Sequence, residues 1–131
     1  LTTSGTYTLL IRTLEAGTAG KITVVLEQAI LASLDEDAQT LEFDETVSRN
    51  TVVFAGNAAE AVTLKLAVQD GENGSPSVSV TQGGSTITYI SASSITELTV
   101  SFVVPDDGEV LVQIDDYSYA AHSIEVTLTH E

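Results

Sequence analysis

The sequence predicts an all-β protein, an antiparallel β-sandwich of about seven to ten strands. Three observations predict it. Apolar and polar residues alternate with a period of two through most of the 131 residues. Val, Ile, Leu and Thr dominate the apolar and β-branched positions, while Cys, Met and Trp are absent. Clusters of Gly, Asp, Asn and Pro interrupt the alternating runs at short intervals. Alternation sends successive side chains to opposite faces of a pleated strand, so one face meets a core and the other meets water. β-Branched side chains, stiff at χ1, suit that half-buried surface better than a helix.

The elements follow in order. Thr6–Arg12 places Tyr7, Leu9 and Ile11 on one face, and Lys21–Glu27 does the same with Ile22, Val24 and Leu26. Ala16-Gly-Thr-Ala-Gly20 between them is a turn, so residues 1–28 read as a β-hairpin. Ala29–Ala38, with Ile30, Leu31 and Leu34, reads as a linker that tolerates one helical turn. Further strands are expected at 40–43, 50–54, 62–68, 77–81, 86–90, 98–104, 110–114 and 124–128. Asp70-Gly-Glu-Asn-Gly74, Gln82-Gly-Gly84 and Pro105-Asp-Asp-Gly108 mark turns between them, because Gly supplies positive φ and Asp or Asn bonds to nearby backbone.

An internal repeat divides the chain. Ser4-Gly-Thr-Tyr-Thr-Leu-Leu-Ile11 lines up with Asp107-Gly-Glu-Val-Leu-Val-Gln-Ile114, and Ile22–Leu26 with Ile124–Leu128 in the same order. Residues 1–28 are therefore expected to be the closing hairpin of one copy, 29–38 a linker, and 39–131 a complete sandwich of jelly-roll or immunoglobulin-like size. A lone hairpin is marginally stable in water and must find a sheet to join. Tyr7, Leu9, Ile11, Ile22, Val24 and Leu26 are the residues expected to make that contact. The start at Leu1, with neither an initiator Met nor a signal-peptide pattern, leads to the expectation of a mature or excised piece of a longer product.

The stretch Leu41-Glu-Phe43, Val52-Val-Phe-Ala-Gly56, Val62-Thr-Leu-Lys-Leu66 and Ser77-Val-Ser-Val-Thr-Gln-Gly83 resembles the bacterial pre-peptidase C-terminal domain family. The resemblance is fullest over Phe102-Val-Val-Pro-Asp-Asp-Gly-Glu-Val-Leu-Val-Gln-Ile114 and closes with Ile124-Glu-Val-Thr-Leu128. It covers 39–131 once, and 1–28 as the closing hairpin of a second copy. Glu109-Val110 departs from the family pattern, which has an aromatic residue after the Gly. The resemblance implies a β-sandwich with an extracellular accessory or structural role, without catalysis. In some members acidic loops bind Ca²⁺.

Charge narrows the function further. Nineteen Asp and Glu face 4 Lys and Arg, a net charge of −15. Such a surface cannot neutralise phosphates, which argues against nucleic acid, and it is repelled by anionic membranes. No apolar run approaches the ~20 residues of a membrane span. Without cysteine there is no disulfide or thiol chemistry.

Three kinds of site can be assembled on paper. Ser118, His122 and Asp116 have the residue types of a catalytic triad, but nothing like a nucleophile elbow surrounds them. His122 reads as solvated loop, and His130, the penultimate residue, as frayed or on a strand face. Asp70, Glu72 and Asn73 offer hard oxygen ligands of the kind Ca²⁺ takes, in a loop without EF-hand spacing. Asp35-Glu-Asp37, Asp106-Asp107 and Asp115-Asp116 are further acidic clusters, more simply read as turn and solubility residues. Tyr117 and Tyr119 share a strand-like spacing that could present two rings to a sugar, and Asn73-Gly-Ser75 fits a glycosylation sequon. The expected function is a non-catalytic extracellular or cell-surface structural module. It would assemble head to tail by β-strand addition through residues 1–28 and require no cofactor. The alternative is a Ca²⁺-dependent accessory domain that binds protein or polysaccharide.

Overall fold

A computed structural model describes residues 29–69, 71–118 and 120–131. The hairpin expected over 1–28, and with it Tyr7, Leu9, Ile11, Ile22, Val24 and Leu26, lies outside the described residues. Among the described residues nine strands follow in order: β1 Ile30–Leu31, β2 Gln39–Phe43, β3 Arg49–Gly56, β4 Ala61–Val68, β5 Pro76–Gln82, β6 Ser85–Ser91, β7 Glu97–Val103, β8 Gly108–Asp116 and β9 His122–His130. They form a five-stranded sheet of order β1-β3-β8-β5-β6 and a four-stranded sheet of order β2-β9-β4-β7. All pairings but one are antiparallel, the exception being β1, whose Ile30 and Leu31 run parallel to Val52 and Val53.

Alternation accounts for the packing. Leu64 of β4 stands opposite both Val100 of β7 and Leu128 of β9, and all three are buried. Across the core, Val112 of β8 stands opposite Val52 of β3 and Val80 of β5, each fully buried. The inner faces of the two sheets thus form one continuous apolar cluster, with Phe54 and Phe102 tilted against each other inside it. The intervening residues of β4 and β9, such as Lys65 and Glu125, are exposed.

Where the sequence allowed a helical turn in 29–38, Ile30–Leu31 joins β3 instead and residues 32–38 form a turn. Ala32 N–H donates to the Val53 carbonyl, and Asp35, at φ 60°, donates its N–H to the Leu128 carbonyl. The turn carries the chain from one sheet to the other. Two apolar residues beside an open strand gain more from ladder hydrogen bonds than one isolated helical turn gains from its own.

Candidate functional site

Paper chemistry becomes real geometry at one end of the sandwich. Asp116 ends β8 and His122 begins β9, so both point inward in phase with Ile114 and Ile124. His122 Nε2 lies 3.2 Å from Asp116 Oδ2, and His122 Nδ1 lies 2.8 Å from the Ala120 carbonyl and 3.4 Å from Ser118 Oγ. The expectation of a solvated His122 is therefore wrong. The ring is buried and stacks on Phe43, with centroids 5.9 Å apart, because β9 pairs it with that residue.

The three residue types of a hydrolase triad are thus adjacent, but the arrangement is built for structure. Asp116 accepts from Ser118 N–H at 2.6 Å and from Ser75 N–H at 3.1 Å, in addition to the imidazole. Both ring nitrogens already face oxygen acceptors, and the Asp116 and His122 side chains are each only 1% exposed. A substrate cannot reach the ring, and Ser118 stands beside Nδ1, the nitrogen committed to the Ala120 carbonyl. Gly74 completes the enclosure: a Cβ there would sit 2.9 Å from Asp116 Oδ2 and 3.0 Å from Val68 Cγ2.

The acidic clusters are similarly occupied. Asp44 Oδ1 accepts from Thr46 N–H, Thr46 Oγ1 and Val47 N–H within 2.7 Å, which holds its carboxyl below the usual carboxylate range. Asp107 accepts from Ala58 N–H, and Asp106 is clasped through both backbone groups by the Gln82 amide. Asp115 pairs with Arg49 at 2.6 Å. Of the expected Ca²⁺ ligands, Glu72 and Asn73 are exposed and Asp70 lies outside the described residues. Among the described residues no group of three or more His, Cys, Asp or Glu is placed to hold a metal. Tyr117 is exposed, while Tyr119 lies outside the described residues.

At the opposite end, the His130 ring bridges Asp35 through Nδ1 and Glu60 Oε1 at 2.6 Å through Nε2. Hydrogen bonds to Asp35 first, then Glu60, raise the His130 pKa, while both carboxyls are held below their ordinary values. His130 therefore closes β9 onto the 32–38 turn and the β3–β4 loop.

Among the described residues each sheet has two edge strands, β1 and β6 in one, β2 and β7 in the other. β6, Ser85-Thr-Ile-Thr-Tyr-Ile-Ser91, contains neither charge nor proline. Its Tyr89 is 64% exposed and accepts a hydrogen bond from Ser77 Oγ at 2.9 Å. A two-sheet β-sandwich whose edge strands have no further partner among the described residues is the class these features define.

Among the comparisons with known proteins, the solved structures bear on the fold. No family model matches the chain, and no curated protein matches it. Among solved structures it is similar to the pre-peptidase C-terminal domain of a Bacillus anthracis collagenase, with a TM-score of 0.60 and 12% identity over 81% of this chain and 99% of that one. It is also similar to CorA, a surface-associated copper-binding protein of Methylomicrobium album BG8, with a TM-score of 0.53 and 9% identity over 79% of this chain and 100% of that one. The chain has the fold of a pre-peptidase C-terminal domain.

Proposed function

We propose that this chain is a non-catalytic structural module of extracellular or cell-surface architecture, joined to its neighbours by β-strand addition through residues 1–28. One observation carries the reading. The strands between Ile30 and His130 bury a continuous two-sheet core, and among the described residues every buried side-chain polar atom has a partner. That core is continuous among the described residues, and the alternating sequence of 6–12 and 21–27 suits pairing with an exposed sheet edge.

Two further features support it. The His122–Asp116 pair beside Ser118 is enclosed and hydrogen-bonded, which favours a module without catalysis. The similar folds come from a collagenase and from a surface-associated protein, which favours placement outside the cell. Removing residues 1–28 tests the reading by light scattering. The full chain is expected to associate and the remainder to stay monomeric; polymers formed by the shortened protein would overturn it.

A further inference from the structure

We propose that β6 is the acceptor for this strand addition, its edge, unpaired among the described residues, taking the segment Lys21–Glu27 of a second copy of the chain. The inference rests on the strand-addition reading and supplies the other half of the contact.

Topology sets the first described strand and the acceptor apart. The chain enters the five-stranded sheet at β1, and β6 is the opposite edge of the same sheet. Four strand spacings of roughly 4.8 Å put the two edges about 19 Å apart. A segment that precedes β1 in the chain and binds the β6 edge of the next copy would make a heterologous contact, which repeats into an open filament.

The edges also differ in protection. β2 carries Glu42, β7 carries Glu97, and β1 is only two residues long. Charges and brevity are how edge strands avoid adventitious pairing, and β6 has neither. The register shift at Val80/Thr81 disturbs its turn-proximal end. Beyond it Thr88, Tyr89, Ile90 and Ser91 pair regularly with Val80, Ser79, Val78 and Ser77, leaving a straight edge.

Apolar and electrostatic complementarity favour the arm as occupant. Ile90 stands opposite the fully buried Val78 yet is itself only half-buried, as is Leu98 on β7. The core reaches the surface along this side. An added strand carrying Ile22, Val24 and Leu26 on one face would cover it. Two of the 19 acids and two of the 4 bases lie in residues 1–28, so the whole net charge of −15 sits on residues 29–131. Sandwich surfaces repel one another, while a neutral arm against an uncharged strand avoids that repulsion.

Sedimentation velocity on the full chain and three full-length variants tests the assignment. Thr86→Glu/Ser91→Glu places charges on the exposed edge while keeping the Tyr89–Ser77 hydrogen bond; Tyr89→Glu/Ser91→Glu is a second acceptor block, and Ile22→Asp/Val24→Asp blocks the donor. Thermal unfolding selects the acceptor variant that keeps the wild-type melting temperature. The wild type is expected to form a concentration-dependent series of oligomers, and each blocked variant to sediment as monomer. An equimolar mixture of acceptor-blocked and donor-blocked chains is expected to stop at a dimer, since one supplies the arm and the other supplies β6. If the acceptor-blocked chain still forms the full series while the donor-blocked chain does not, β6 is not the acceptor, although the arm still donates. If the wild type itself stays monomeric, strand addition fails and β6 falls with it.

Discussion

The His122 imidazole and the Asp116 carboxylate face each other across 3.2 Å at the junction of β8 and β9, shielded from water by Phe43 and by Gly74-Ser75. A buried carboxylate is costly unless its lone pairs are occupied, and Asp116 occupies them with two backbone N–H groups and the ring. The pair thereby fixes the 71–75 loop and the β8–β9 connection to the same end of the core.

Asp116→Ala removes all three acceptor contacts and leaves buried donors without partners. The expected loss of stability is about 3 kcal/mol, within the range for breaking a buried polar pair. Urea unfolding measures it, and a loss below about 1 kcal/mol would remove the structural role assigned to the pair.

Gly74→Ala acts on the same enclosure from the loop side. Its Cβ would meet Asp116 Oδ2 at 2.9 Å and Val68 Cγ2 at 3.0 Å, and it sits on buried backbone. Overpacking of this kind costs about 1–3 kcal/mol. Gly71→Ala meets nothing within 4 Å and bears only the strain of φ 73°. Both variants are compared by thermal melting, and Gly74→Ala is expected to fall further.

Much of this is legible in the sequence. Every strand expected from 40 to 128 is present, because alternation fixes which residues face the core whatever the sheet order. The same parity held the signal for the buried pair. His122 is in phase with Ile124, Val126 and Leu128, and Asp116 with Val110, Val112 and Ile114, so both belonged to the apolar face. Their residue types suggested solvent instead. Sheet order was not legible, since alternation carries no information about which strand lies beside which. The uncharged composition of β6 is therefore visible in the sequence, while its position at an edge is not. The β1 pairing escaped for a related reason: two residues are too few to show a period.

Inner and outer faces should separate cleanly on truncation. Leu64 on central β4 is 0% exposed, and Leu64→Ala is expected to cost about 2–5 kcal/mol. Leu111 points from β8 to the outside of the five-stranded sheet and is 40% exposed, so Leu111→Ala should lie within about 0.5–1 kcal/mol of wild type. Equal losses in chemical denaturation would contradict the facing assigned to β8.

His130 gives the fold a pH dependence with two limbs. Its pKa is raised above the ordinary 6.5 by hydrogen bonds to Asp35 and Glu60, so its contribution is complete below 6.5 and is lost as pH rises through the raised value. Asp35 and Glu60 are depressed from 3.8 and 4.5, so their contribution is present above those values and lost as pH falls through the lowered ones. All three are therefore fully engaged between 4.5 and 6.5. The whole chain also gains negative charge through this region, so the informative quantity is a difference between proteins. The melting temperature of wild type minus that of His130→Gln is expected to peak inside the window and to shrink on both sides. A difference that stays flat from pH 4 to 9 would show that the His130 bridge contributes no charge-dependent stability. The 32–38 turn would then be held by the contacts the substitution keeps: Asp35 N–H on the Leu128 carbonyl, Ala32 N–H on the Val53 carbonyl and the residue-130 N–H on Asp35 Oδ1.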